Sequence, residues 1–200
     1  MLFAKRILTL ITITLFVAVF GLAQPALGIP GFNPDEMGDM SDYDPGNFKN
    51  PKGDTIKIAV VASFSGPAAV VGDIYWASVT SVAHDINMRG GIMIDGKMKL
   101  VQVIKADHQS KPAMAKKICE RMILREKVHI LWGTNGSNLM KVINQVAKKY
   151  KVIAVNTAAL TDALYEVPNF TRYSFMPSFG ADQIGRAAAF FYGQVRKKET

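Results

Sequence analysis

From residue 55 onward the sequence predicts an α/β fold, a parallel sheet sandwiched by helices. Three observations carry this. Short β-branched runs recur, as in Ile56-Lys57-Ile58-Ala59-Val60-Val61-Ala62. Between them lie stretches with apolar residues at helical spacing, such as Ala115, Ile118, Cys119 and Met122. The loops at strand ends are built of glycine and small polar residues, as in Gly133-Thr134-Asn135-Gly136-Ser137. Strands alternating with helices of this length imply parallel pairing, because parallel strands need a long crossover between them.

The run at 56–62 reads as a strand buried on both faces. The small-residue stretch 63–73 reads as a loop. A helix follows over 74–89, with Ile74, Ser78, Val82 and Ile86 four residues apart on one face, and Gly90-Gly91 ends it where the chain must turn left-handed. A second strand covers 99–106. Ser110 is placed to cap a helix that begins at Lys111-Pro112, since proline fits the first turn. The third strand, 128–132, runs into the loop 133–137. Leu139, Val142, Ile143, Val146 and Tyr150 then mark the apolar stripe of another helix. A fourth strand is expected at 152–155, a weaker one near 171–175, and a last helix over 182–196. Right-handed crossovers bring the strand-to-helix loops to one end of the sheet, where open α/β sheets bind ligands. Three loops fall there: 63–73, 133–137 and 156–161.

The first 28 residues set the compartment. Lys5 and Arg6 precede an apolar stretch, 7–23, and Pro25-Ala26-Leu27-Gly28 supplies small residues where a signal peptidase reads. Cleavage is expected after Gly28, with Ala23 as the alternative. The apolar stretch is at the short limit for a spanning helix, which takes about 20 residues. Residues 29–54, rich in Pro, Gly, Asn and Asp, read as a disordered or extended leader. Asp39, Asp42 and Asp44 lie close together there, but not at calcium-loop spacing. Cys119 is the single cysteine, so no intrachain disulfide forms and the fold rests on its core; 49% of the residues are apolar. The net charge is +8, and +6 without Lys5 and Arg6. The lysines are spread over helix faces with no aromatic interleaving, so nucleic acid is not an expected partner.

The three loops hold Ser, Thr, Asn, Gly and Ala, with Asp73 and Asp162 as their nearest carboxylates. His84, His108 and His129 share no metal-ligand spacing, and no nucleophile has a base near it in sequence. Neither GxxxxGK[ST] nor GxGxxG follows a strand. Hydroxyls and N–H groups without acid–base partners suit binding better than catalysis, so neither an enzyme nor a cofactor or metal site is expected. Ser137 is the sharpest candidate. It should stand at a helix N-terminus, where free N–H groups and a partial positive charge can hold a carboxylate. Capping its own helix is the equal alternative.

Several segments together resemble a known family. IKIAVVASFSGPAAVVGD, the helix end INMRGGI, the strand end ADHQSKP, the loop WGTNGSN and the segment VNTAALTDAL resemble, in order and spacing, the leucine/isoleucine/valine-binding family of type I periplasmic binding proteins. The resemblance covers about 54–195. It implies two α/β lobes joined by hinge strands and closing on a ligand, in chains about twice this length. It therefore implies a first lobe at 55–175, with hinge and opening helix of an incomplete second lobe at 176–200. The family's ligand contacts fall on Val71 in the loop 63–73, on Ser137 in the loop 133–137, and on Ala158 and Leu160 in the loop 156–161; Ser65, Asn135, Gly136 and Thr161 are further candidates in the same loops. Two positions depart from its usual pattern: Val71 stands where an aromatic is common, and Leu160 where a threonine is. Pro67 and Gly72 are expected to shape the loop.

The function so implied is a periplasmic solute-binding protein of an ABC importer. Its partners would be an amino acid, amide or organic acid ligand and the transporter's membrane permease. The alternative is a ligand-sensing domain of a receptor or regulator with the same fold. N-terminal sequencing of the protein exported by a Gram-negative host should find a start after Ala23 or Gly28. Retention of Lys5 and Arg6 in the membrane fraction would overturn the periplasmic assignment.

Overall fold

The structure is a computed structural model that describes residues 37–164, 171–177 and 181–198. The signal segment 1–28 lies outside the described residues. The described elements begin with β1 (Thr55–Ala62), α1 (Ala69–Met88), β2 (Ile92–Ile94), β3 (Lys97–Asp107), α2 (Pro112–Leu124), β4 (Ile130–Trp132), α3 (Ser137–Tyr150) and β5 (Ile153–Val155). A short 3₁₀ turn (Asp162–Leu164), β6 (Ser174–Phe175) and α4 (Ala181–Lys198) follow.

The strand order is β2-β3-β1-β4-β5-β6. All pairings are parallel except β2 with β3. The expected parallel sheet between helical layers is present, with the short β2 added antiparallel at one edge. The sequence reading missed β2 because Ile92-Met93-Ile94 is three residues long. It turns back at Asp95-Gly96, both at positive φ (49° and 73°), in a two-residue hairpin.

β1 is the axis of the core. It pairs with β3 along its whole length and with β4 from Ile58 to Val60. Successive side chains point to opposite faces. Ala59 and Val61 join Cys119 and Met122 of α2 and Met140, Ile143 and Val146 of α3. Val60 and Ala62 join Val79 and Ala83 of α1 and Val101 and Val103 of β3. In α2 and α3 the buried residues fall on the stripes that spacing predicts: Ala115, Cys119 and Met122; Leu139, Ile143 and Val146. Cys119 is wholly buried, and burial pushes its thiol up to about 12, so it stays protonated.

Helix α1 departs from the expectation twice. It begins at Ala69, not near residue 74. Its inward face is Gly72, Val79, Thr80 and Ala83, while Ile74 and Val82 are exposed (57% and 49%). The physical reason is closeness. A Cβ on Gly72 would stand 2.0 Å from the Ser63 carbonyl oxygen, so the helix approaches the strand end on its small residues. Gly90 and Gly91 end the helix at φ 93° and 101°, and a Cβ on Gly91 would meet the Lys99 carbonyl at 2.4 Å.

The leader's described part, 37–54, makes turns at 41–42 and 45–46. It is docked by hydrogen bonds. Tyr43 donates to the Ala77 carbonyl at 2.7 Å, and the Gly38 N–H donates to the Asp85 carboxylate at 2.8 Å. The Trp76 indole donates to the Pro45 carbonyl at 2.8 Å, and Phe48 meets the Trp76 ring edge-on. Asp39 and Asp44 take the N–H groups of Ser41 and Gly46, which hold both carboxyls below the ordinary range, and Asp42 meets His84. Among the described residues no helix is long and apolar enough to cross a membrane.

Beyond β2, the outer edge of β3 is closed by two side-chain amides instead of a strand. Asn87 takes the Val101 N–H at 2.7 Å and donates to its carbonyl at 2.8 Å. Asn50 does the same to Val103, at 2.7 and 2.8 Å. Each amide imitates one rung of a ladder and blocks the edge, which would otherwise recruit a foreign strand. Asn50→Ala strips both partners from buried Val103. It should lower stability by about 1–3 kcal/mol and promote association; urea denaturation and light scattering check the two effects.

Candidate functional site

The parallel strands, in chain order, are arranged 2-1-3-4-5. Winding reverses at β1: α1 covers one face of the sheet, and α2 with α3 the other. The crevice between the carboxyl ends of β1 and β4 is the topological switch point, where ligands of such sheets bind. The loop 63–68 and the loop 133–136 border it, and the loop 156–161 lies one strand farther on.

Hydrogen bonds fasten these loops to one another. Buried Ser63 bonds Ser110 between hydroxyls at 2.6 Å, and the Phe64 N–H donates to Asp107 at 3.0 Å, tying the β1 loop to the β3 loop. His108 Nε2 meets Thr134 Oγ1 at 2.8 Å, tying the β3 loop to the β4 loop. The Thr157 hydroxyl donates to the Gly133 carbonyl at 3.2 Å, and the Gly133 N–H to the Val155 carbonyl at 2.7 Å, tying β4 to β5. Gly133 is required there: a Cβ would stand 2.6 Å from Met140 Sδ and 2.8 Å from the Val155 oxygen. Buried Asn156 folds its own loop, accepting from the Ala159 N–H at 2.8 Å and donating to its carbonyl at 2.7 Å.

His108, Thr134 and Asn156 are fully buried, and sequence reasoning missed all three as site residues. The signal for His108 was present in a histidine directly after a buried strand. Its partner lies 26 positions away and is visible only in three dimensions. Ser110, expected as a helix cap, turns instead to Ser63. The cap position of α2 is Lys111 and has no side-chain cap bond. Gln109 and Ser110 both hold positive φ, 52° and 57°. Such non-glycine conformations cost of order 1 kcal/mol each and persist only where surroundings fix them. Here Asp107 takes the Gln109 N–H at 2.8 Å and His108 Nδ1 takes the Ser110 N–H at 3.1 Å.

The expected ligand residues distribute as follows. Ser65 is exposed and directs its hydroxyl to the Asp107 carboxylate. Val71, placed by sequence in a loop, is half-buried in the first turn of α1. Asn135 is exposed and accepts from Thr134 at 3.3 Å. Gly136 is the cap position of α3, and Ser137 is its first residue. The helix has no side-chain cap bond, so Ser137 does not cap it. Among the described residues nothing bonds the Ser137 hydroxyl or the Ser137 and Asn138 N–H groups, while Leu139 N–H bonds Asn138. Ala158, Leu160 and Thr161 are half-buried; the Leu160 carbonyl accepts from Ala181 at the start of α4, and that of Thr161 from Leu164. Ser65 and Val71 lie on the β1 side of the crevice, 135–137 on the β4 side, and Ala158, Leu160 and Thr161 beyond β5.

The rim is electrically quiet. Loops 133–137 and 156–161 carry no charged side chain. Burial pushes Asp107 up, but the N–H groups of Phe64 and Gln109 with the Ser65 hydroxyl outweigh it, so its carboxyl lies below the ordinary range. Burial holds His108 below its ordinary 6.5, against the pull of Asp107. Geometry agrees: Nδ1 accepts from the Ser110 N–H, which leaves the single proton on Nε2. The unfolded chain therefore binds a proton that the folded chain refuses just below pH 6.5. Stability contributed by neutral His108 is full above that pH and falls as pH drops through it. Melting temperature should decline from pH 7 to pH 5, and His108→Gln should flatten that decline; calorimetry at stepped pH measures both.

Comparison with known proteins fits this geometry. The family model described as periplasmic binding protein matches residues 55–198. Among solved structures, the chain is similar to LivJ, the branched-chain amino acid transporter substrate-binding protein of Streptococcus pneumoniae in complex with isoleucine. The identity is 27% and the TM-score 0.56, over 63% of this chain and 34% of that one. A periplasmic binding protein from Burkholderia mallei is 26% identical, with a TM-score of 0.54, over 64% of this chain and 32% of that one. A solute-binding protein of an R. palustris ABC transporter in complex with benzoate has the same fold. It is 23% identical, with a TM-score of 0.55, over 66% and 35% of the two chains. The chain spans about a third of the length of these structures. It belongs to the periplasmic binding protein family, as the N-terminal portion of a type I member.

Proposed function

We propose that residues 55–175 are the first ligand-binding lobe of a periplasmic solute receptor, and that 176–200 lead through a hinge into a second lobe. In this reading the lobes close on a small amino-acid-like, amide or carboxylate ligand and present it to the permease of an ABC importer. The protein reaches the periplasm through the signal segment 1–28. One observation carries the reading: the hydroxyl and N–H of Ser137, unbonded among the described residues, open α3 at the switch point, beside loops without charge. A helix N-terminus with unengaged donors holds a carboxylate without needing an arginine.

The two departures at the rim inform the ligand class. Val71 and Leu160 are both half-buried and aliphatic. They favour an apolar body behind the carboxylate over a small polar one. The isoleucine held by the Streptococcus pneumoniae relative fits that description and is the first probe to use. No acid–base pair faces the crevice from loops 133–137 and 156–161, so the reading is capture and release without chemistry.

Ser137→Ala in a form of the protein carrying both lobes should weaken isoleucine or benzoate binding by about ten- to a hundredfold, the worth of a hydrogen bond to a charged group. Because Ser137 makes no cap bond, the ligand-free melting temperature should stay within about a degree of the parent. Calorimetric titration together with a thermal melt measures both. Unchanged affinity would move the carboxylate to the loop 156–161. The 200-residue chain alone should bind the same probes more weakly than the two-lobe form, and equal affinity would remove the second lobe from the site.

A further inference from the structure

We propose that His108 is a positioning residue of the ligand rim: from beneath the switch point it fixes the loop 133–137 against the loops after β1 and β3. The inference rests on the reading that this rim takes the ligand, and it adds the side chain that shapes it. His108 is wholly buried, at the end of the longest strand. Its two nitrogens serve two loops. Nε2–H donates to Thr134 Oγ1 at 2.8 Å, and Thr134, itself fully buried, passes its own proton to Asn135 Oδ1 at 3.3 Å. Nδ1 accepts the Ser110 N–H at 3.1 Å, with the Ser63 hydroxyl at 3.4 Å. One imidazole thus orients a chain of donors that ends two residues before Ser137.

The direction of that chain depends on one proton. A second proton on Nδ1 would face the Ser110 N–H, donor against donor, and release the left-handed pair Gln109-Ser110. The hydroxyls of Ser63 and Thr134 face the ring from the loops after β1 and β4, the Ser110 hydroxyl bonds that of Ser63, and all three can turn to either state. Asp107 acts on it as a charge and is itself occupied by the N–H groups of Phe64 and Gln109 and by the Ser65 hydroxyl. The protonated form therefore loses its backbone partner and keeps at Nδ1 only the longer contact to the Ser63 hydroxyl, at 3.4 Å, so the rim loosens with it.

The test is made without ligand, on the isotopically labelled chain by NMR. Thr134→Val keeps the shape and removes the hydroxyl; Thr134→Ser restores it. In Thr134→Val the backbone order parameters of Asn135, Gly136 and Ser137 should fall from about 0.85 toward 0.6 or below, while Leu131 and Ile143 stay rigid, and in Thr134→Ser they should recover. In the parent, the amide shifts of the same three residues should follow the His108 ring titration with one midpoint. Order parameters unchanged in Thr134→Val would overturn the proposal, as would rim amides that ignore a titrating His108. Should the ring stay neutral down to acid unfolding, the valine variant alone decides. Isoleucine and benzoate titrations run in parallel: failure of both to bind a two-lobe form counts against the ligand reading and leaves the positioning result standing.

Discussion

The structure depends on the burial of one strand. β1 is apolar on both faces and paired along both edges, so it can exist only inside two helical layers. That constraint requires α1 on one face and α2 with α3 on the other, and it makes the winding reverse at β1. The crevice at the end of β1 and β4 is a consequence of the reversal, since the two loops leave toward opposite faces and part between them. The place of the candidate site therefore follows from the burial of Ala59, Val60, Val61 and Ala62, before any polar residue is considered.

The polar groups then decide how stiff that place is. Loops rarely hold a fixed shape without partners, and these are tied in sequence: β1 loop to β3 loop through Ser63 and Ser110, β3 loop to β4 loop through His108 and Thr134, β4 loop to β5 loop through Gly133 and Thr157. Every bond is buried or half-buried, where it is less exposed to competition from water. A binding protein gains from such preorganisation, because groups already fixed need not be ordered when the ligand arrives. The donors that no described residue engages, at the start of α3, stand at the end of this chain of fixed ones.

The segment 37–54 has a supporting role. It lies along α1 through Tyr43, Gly38 and Trp76, and it lends Asn50 to the open edge of β3. Its acidic residues form turns and meet His84, which accounts for their clustering. Composition alone suggested an extended or disordered leader, because few aliphatics offered a core. Aromatic rings and side-chain amides, used singly, were enough to dock it.

The sequence by itself determined the alternation of strands and helices, the apolar stripes of α2 and α3, the glycine stop after α1 and the likeness to a family. These depend on local spacing, which a chain carries wherever it folds. It placed Ser137 at the start of its helix for the same reason. The tertiary structure decided what spacing cannot express. Of the four-residue repeat on α1, Ile74, Ser78 and Val82 face outward and only Ile86 packs on the core, because the helix sits close on glycine and alanine. Ser110 serves a neighbouring loop instead of its helix, and Ser137 leaves the cap position to Gly136. The pairing of His108 with Thr134 joins residues from different strands, and only closure of the sheet brings them within a hydrogen bond.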